Sequence, residues 1–171
     1  MVRKILIAFT LCSWALLDQA QTTPKIIHPF ARFSIPNSQQ GCSYPASPVN
    51  FCDDLHMAAI NDAIEKKMVN FDKRYILLFI PERAGFFERS LVVIDADTGV
   101  VYPVPIDFYS GPPEKGKINH FGDLNFNADY DEICINGSIY AYRVQQDGKF
   151  CFKFDDGKFT GLNSAYTDAG S

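Results

Sequence analysis

Acid–base or metal chemistry in this chain has to be built around three histidines, His28, His56 and His120. No H-E-x-x-H or comparable ligand spacing occurs, so no metal centre is expected. His120 lies in "NHFGD", three residues before Asp123, the only histidine paired with an acid in a loop. A general base needs that kind of pairing, and with Asp107 it outlines a small hydrolase site; a solvated loop histidine is the plainer reading. Asp95-x-Asp97-x-Gly99 has the opening of a calcium loop, but Ile106 stands where that loop requires its final glutamate. A hairpin turn explains the segment better. Ser90 and Ser110 lack a G-x-S-x-G setting, and without a G-x-G-x-x-G or Walker-type loop no cofactor is expected. "NGS" at Asn136–Ser138 fits a glycosylation acceptor, which matters only in a eukaryotic secretory pathway.

With nucleophiles and ligands set aside, aromatic side chains in links between apolar runs remain. Phe86-Phe87 interrupt "PERAGFFER", Phe108-Tyr109 open a long loop, and Tyr140, Tyr142 and Arg143 fall in "GSIYAYRV". Aromatics and arginine are the residue types that anchor interfaces. The candidate binding residues are therefore Arg83, Phe86, Phe87, Tyr109, His120, Tyr140, Tyr142 and Arg143. Phe86 and Phe87 can either fold back and extend the core or face a partner, and packing is the leading reading. The flanking Glu82-Arg83 and Glu88-Arg89 read as solvated ion pairs.

The elements that must position these residues begin after an export signal. Arg3 and Lys4 precede the apolar run Ile5–Leu17, and "DQAQTTP" follows, with cleavage expected after Ala20. That is a secretory signal peptide, too short for a membrane span. Its removal leaves 14 basic and 19 acidic side chains, a net charge of −5, and no tryptophan, since Trp14 departs with it. Cys42, Cys52, Cys134 and Cys151 remain, an even set that suggests two disulfides in a periplasmic or extracellular protein. The acidic balance argues against nucleic acid, and no amphipathic or polybasic segment suggests membrane docking after cleavage.

Residues 21–52, with Pro24, Pro29, Pro36, Pro45 and Pro48, read as an extended arm closed locally by Cys42–Cys52. One helix is expected over "DDLHMAAINDAIEKKMVN", capped by Asp53 or Asp54, with Met57, Ile60, Ile64 and Met68 on its apolar stripe and Asn70 at its end. Strands follow at Tyr75–Ile80 and Leu91–Ile94, apolar on both faces. "DADTG" turns the chain into Val100–Tyr102, and Pro103 and Pro105 place that strand's far end at a sheet edge. Residues 107–122 read as a loop. Leu124–Phe126, Glu132–Asn136, Phe150–Phe154 and Lys158–Leu162 complete the set. In "EICIN" and "KFCFKF" both cysteines alternate away from the apolar face, which makes Cys134–Cys151 a cross-strand bridge worth roughly 3 kcal/mol. The organisation expected is a signal peptide (1–20), the arm (21–52), an α+β domain (53–163) and a flexible tail (164–171). The domain would be an antiparallel sheet of five to seven strands with one helix on a face.

The series "VNFDKRYILL", "LVVIDADTGVVY", "LNF", "ICING" and "CFKFDDGKF", after a helix, resembles a group of small exported bacterial proteins. They share an N-F-x-G-x-Y strand, an aliphatic-V-D-A-x-T-G-x-V-Y hairpin and a C-terminal aromatic D-G-K hairpin. The match runs roughly from Asp53 to Leu162. It implies a fold and lends no catalytic residues. This chain departs from the pattern twice. "PERAGFFER" stands where members often carry a Gly/Cys-rich loop, and Asp72-Lys73-Arg74 replace the glycine of the first motif. The function expected is non-enzymatic binding of a protein partner, as an inhibitor or immunity-type protein of a cell-wall enzyme would do, and the acid balance favours a basic partner. The alternatives are a small-molecule or glycan binder using Tyr102, Tyr109 and His120, or the small hydrolase.

Overall fold

A computed structural model describes residues 32–35, 41–161 and 166. The expected signal peptide, half of the arm and most of the tail lie outside the described residues. The elements are β1 (Arg32–Phe33), α1 (Asp54–Lys66), β2 (Tyr75–Pro81), β3 (Arg89–Asp95), β4 (Val100–Pro103), β5 (Phe108–Ser110), β6 (Asp123–Asn125), β7 (Glu132–Ala141), β8 (Val144–Asp155) and β9 (Lys158–Thr160). They form one helix and a nine-stranded sheet, ordered β1-β4-β3-β5-β7-β8-β9, with β2 beside β3 and β6 beside β7. The sheet is mixed rather than purely antiparallel, because β1 runs parallel to β4, pairing with Val100 and Val101 and leaving the Pro103 end uncovered by it. It also has more strands than the five to seven expected.

Local chemistry explains the helix limits. Asp53 accepts the backbone N–H of His56 at 2.9 Å, capping the start. Lys67 adopts a left-handed conformation and donates its N–H to Ala63, ending it. The helix thus stops about a turn before Asn70. Met68 is exposed beyond it, and the buried stripe is His56, Ile60, Ala63 and Ile64.

β2 and β3 pair in continuous register from Tyr75↔Asp95 to Pro81↔Arg89. Alternation then splits the apolar side chains between two layers. Ile76, Ile80, Val92 and Ile94 pack under α1 with Val49 and Phe51. Leu77, Leu91 and Val93 face Ile133, Ile135, Phe152 and Phe154 of β7 and β8. One cluster joins strands from both ends of the sheet, so the sheet curls around it. Residues 41–52, expected as the end of an arm, belong to the body: Tyr44, Val49 and Phe51 are buried. Tyr166, expected in a flexible tail, is buried as well and stacks on Tyr44 at 4.6 Å.

Both expected disulfides are present, Cys42–Cys52 and Cys134–Cys151. Cys134 and Cys151 sit directly opposite in the β7–β8 ladder, flanked by the inward pairs Ile133↔Phe152 and Ile135↔Phe150. Asp95 builds the "DADTG" turn by accepting the N–H groups of Asp97 and Thr98 at 3.0 and 2.9 Å, while Arg74 pairs with its other oxygen. The loop expected at 107–122 contains β5, which pairs with β3 through Arg89↔Tyr109 and with β7 through Phe108↔Tyr140. Glycine permits that approach, since a Cβ on Gly137 would lie 2.3 Å from the Ser110 carbonyl oxygen.

Candidate functional site

The link between β2 and β3 places chemistry on both sides of itself. Its base is closed by the Glu82 N–H donating to the Glu88 carbonyl, and its tip by the Phe86 N–H donating to the Arg83 carbonyl. Gly85 supplies the positive φ of +80° at the tip. The charged residues pair across the link rather than as solvated neighbours. Arg83 donates to Glu88 Oε2 from Nη2 at 2.7 Å and from Nε at 3.2 Å. Glu88 is only 8% exposed. Glu82 turns to the helix and meets His56, and Arg89 lies among aromatic rings.

On the inner-sheet side these rings form a rim. Phe79 is 41% exposed and Phe86 51%. Phe87 is half-buried, its ring 5.2 Å edge-on from that of Phe121. The Arg89 guanidinium lies 3.5 Å from the Phe121 centroid and 5.1 Å from that of Phe79, while Arg83 lies 4.1 Å from that of Phe86. The two phenylalanines of the link therefore divide, Phe87 packing and Phe86 facing out. Tyr109, expected at the surface, is 1% exposed beneath the rim. Alternation explains the difference, because Tyr109 is registered opposite Arg89 and points into the curl. Burial raises its phenol pKa, and its hydrogen bond to Arg89 opposes the rise.

On the helix side lies a half-open cavity of about 250 Å³, lined by Pro48, Val49, Glu82, Arg83, Glu88 and Phe108. Behind Glu82 stands His56, with Nδ1 at 2.7 Å from Asp53 and Nε2 at 3.1 Å from Glu82. Both ring nitrogens face carboxylates and can donate together only when the ring is protonated. Burial opposes that charge, but the bonds to Glu82 and Asp53 outweigh it and raise the His56 pKa. Ser90 Oγ lies 3.4 Å from Nε2, so Asp53, His56 and Ser90 stand in the order of an acyl-transfer triad. Ser90 is 0% exposed; no substrate carbonyl reaches it, and the set is structural.

The remaining predicted residues are spread out. Tyr140 is half-buried and stacks on Phe108 at 4.4 Å, beside the cavity. Tyr142 and Arg143 form the exposed tip of the β7–β8 hairpin, both with positive φ. The Tyr142 N–H donates to the Tyr166 hydroxyl, which donates to Asp107 at 2.7 Å. His120 is exposed, and its Nδ1 lies 2.7 Å from Asn119. Asp107 is buried and accepts from Ser47 and Tyr166, so no hydrogen bond joins His120, Asp123 and Asp107 into a hydrolase site. Tyr102 packs against Phe154; with Tyr109 buried, the rings expected to line a glycan surface do not share one. Glu132, Cys134 and Cys151 bring three potential ligand atoms together, one oxygen and two sulfurs, but the two sulfurs are bonded to each other.

Phe79, Phe121, Arg89, Glu82, Glu88 and His56 were not among the candidate binding residues. Phe79 is hidden in an apolar run, Glu82 and Arg89 meet their partners on other segments, and Glu88 pairs across its own link. No family model matches the chain, and neither a curated protein nor a solved structure matches it. The likeness to small exported bacterial proteins therefore rests on the motif residues alone. The two disulfides fit an oxidising, exported environment. Among the described residues no helix is long and apolar enough to cross a membrane.

Proposed function

We propose that this chain is a non-enzymatic exported protein that binds a protein partner, in the manner of an inhibitor or immunity protein, with a basic cell-wall enzyme as the expected partner class. The observation that carries this reading is the rim: Phe79 and Phe86 exposed beside Phe87 and Phe121, with Arg83 and Arg89 laid on the rings. Arginines in contact with phenylalanines, Arg83 exposed and Arg89 half-buried, are residue types that anchor interfaces. Guanidinium groups held against rings lose little freedom when a partner closes over them. The net charge of −4 on the whole chain favours encounter with a basic surface.

The test uses the tagged chain recovered from periplasm or medium, crosslinked there and compared with a Phe79→Ser/Phe86→Ser variant. Both replaced rings are substantially exposed, so the variant should keep the wild-type melting temperature. The expected result is a partner captured by the wild type and bound at least about tenfold more weakly by the variant. Identical capture by both proteins, or no specific capture by the wild type, overturns the reading.

A further inference from the structure

The lining of the cavity on the helix side of the link carries more acid than base, with His56 behind Glu82 and outside that lining. Glu82 and Glu88 line the cavity against one cation, Arg83. Arg83 spends both of its donating nitrogens on a single oxygen, Glu88 Oε2. Glu88 Oε1 and Glu82 Oε2 take no hydrogen bond among the described residues, although the two side chains are only 11% and 14% exposed. Both oxygens keep access to solvent and can accept from a ligand that enters the cavity. An anionic ligand would meet two carboxylates and an arginine already paired. We propose that the cavity is a binding site for an organic cation, an alkylammonium or guanidinium group, supplied by a lysine or arginine side chain of the bound partner. The cation site stands on its own geometry; the partner as its source rests on the protein-binding reading above.

The walls suit such a side chain. Pro48, Val49 and Phe108 offer apolar surface to a methylene stem, and about 250 Å³ accommodates one long side chain without burying a whole small protein loop. The polar end is held in place before binding. Glu82 is fixed by His56, which is fixed in turn by Asp53 and packs edge-on against Phe51. Phe108 is fixed by stacking on Tyr140. Pre-positioned groups of this kind bind without an ordering cost. Arg83 both lines the cavity and lies over the Phe86 ring, so the one side chain joins the rim to the cavity.

The experiment is an NMR titration of the full exported chain with Nα-acetyl-lysine methylamide, Nα-acetyl-arginine methylamide and the uncharged Nα-acetyl-norleucine methylamide. At least one cationic probe should bind saturably in the millimolar range, with shifts at Val49, Glu82 and Phe108, and the uncharged probe should not. Glu82→Gln leaves the Arg83–Glu88 pair intact and should weaken the cation by about tenfold; Glu88→Gln supplies a second variant if the first fails to fold. No saturable binding by either cation, equal binding of norleucine, or unchanged affinity in the folded variants overturns the cation site. The crosslinking assay then separates the sources. If Glu82→Gln weakens both probe and partner, the partner supplies the cation. If it weakens the probe alone, the source is a free small cation and the partner assignment is overturned. Saturable probe binding by a wild type that captures no partner in the crosslinking assay would refute the protein-binding reading and leave the cation site standing.

Discussion

At the scale of the residue, His56 is the most consequential side chain outside the candidate binding residues read from the sequence. It sits on a helix stripe where an aliphatic residue would serve packing equally well, and its two carboxylate partners are three and 26 positions away. The nearer one was visible as a helix cap. The farther one requires the β2–β3 link to reach the helix N-terminus, which no local pattern encodes. Because the folded pKa of His56 is raised, its contribution to stability is complete below the ordinary imidazole pKa and is lost as pH rises through the folded value. Asp53 has the opposite sign. Burial alone would raise its pKa, but the bonds from His56 lower it, so its contribution is present above the ordinary carboxylate range and lost as pH falls through its folded value. Urea unfolding across these windows should show stability falling on the alkaline side in the wild type. His56→Gln should flatten that limb, and an unchanged limb would mean another group carries it. Lys73 is a second such position. It occupies the place where the resembling motif has glycine and adopts a φ of +57°. A left-handed lysine costs about 1–2 kcal/mol, so Lys73→Gly should raise the unfolding free energy by about 1 kcal/mol; a loss would show that the side chain makes a compensating contact.

Elements were legible in proportion to how local their causes are. β2, β3 and the β3–β4 turn follow from apolar runs and "DADTG", and the inward alternation of Ile133, Ile135, Phe150 and Phe152 follows from strand geometry. β5 was not legible. Its three residues, Phe108–Ser110, carry no strand pattern and exist because β3 and β7 leave a place between them. The close approach depends on Gly137, where a Cβ would strike the Ser110 carbonyl. Gly137→Ala should therefore cost about 1–3 kcal/mol by displacing β5, read as a lower denaturation midpoint. Asn70 was expected to end the helix and instead guards an edge. Its carboxamide donates to the Leu77 carbonyl at 3.1 Å and accepts the Leu77 N–H at 2.7 Å, doing for β2 what a neighbouring strand would do. Phe71 does the same at Tyr75, and Pro81 has no N–H to offer. Together they blunt an apolar edge that would otherwise recruit another chain. Asn70→Ala should lose about 1–3 kcal/mol by leaving two buried groups unmet, and should self-associate on concentration by light scattering. A monomeric variant of wild-type stability would show that water satisfies this edge.

For the whole molecule, the cysteine count and strand parity gave both disulfides, yet residues 41–52 of the expected arm pack into the domain. Val49 and Phe51 are as much core as the helix they cover, and Pro48 and Val49 make one wall of the cavity. Proline-rich composition describes how a segment is stiffened; it does not decide whether its few apolar residues find a groove. The two disulfides consequently have different tasks. Cys134–Cys151 lies across a ladder already registered along ten strand residues of β7, so its removal mainly frees the unfolded chain. Cys42–Cys52 brackets the segment that walls the cavity, a segment otherwise held by the Phe51 N–H bond to the Cys42 carbonyl and the Tyr44 hydroxyl bond to the Pro103 carbonyl. Cys134→Ser/Cys151→Ser should lower stability by roughly 3 kcal/mol and leave the affinity for the lysine or arginine probe unchanged while the protein remains folded. Cys42→Ser/Cys52→Ser should also lower stability, by a smaller loop-closure amount, but should weaken the probe several-fold, because Pro48 and Val49 are no longer held against Glu82 and Phe108. Thermal unfolding and the same titration, run on both variants below their melting transitions, decide the matter. Equal probe affinity in the two would mean that the wall is held by packing of Val49 and Phe51 alone, and that the disulfide adds stability without shaping the site.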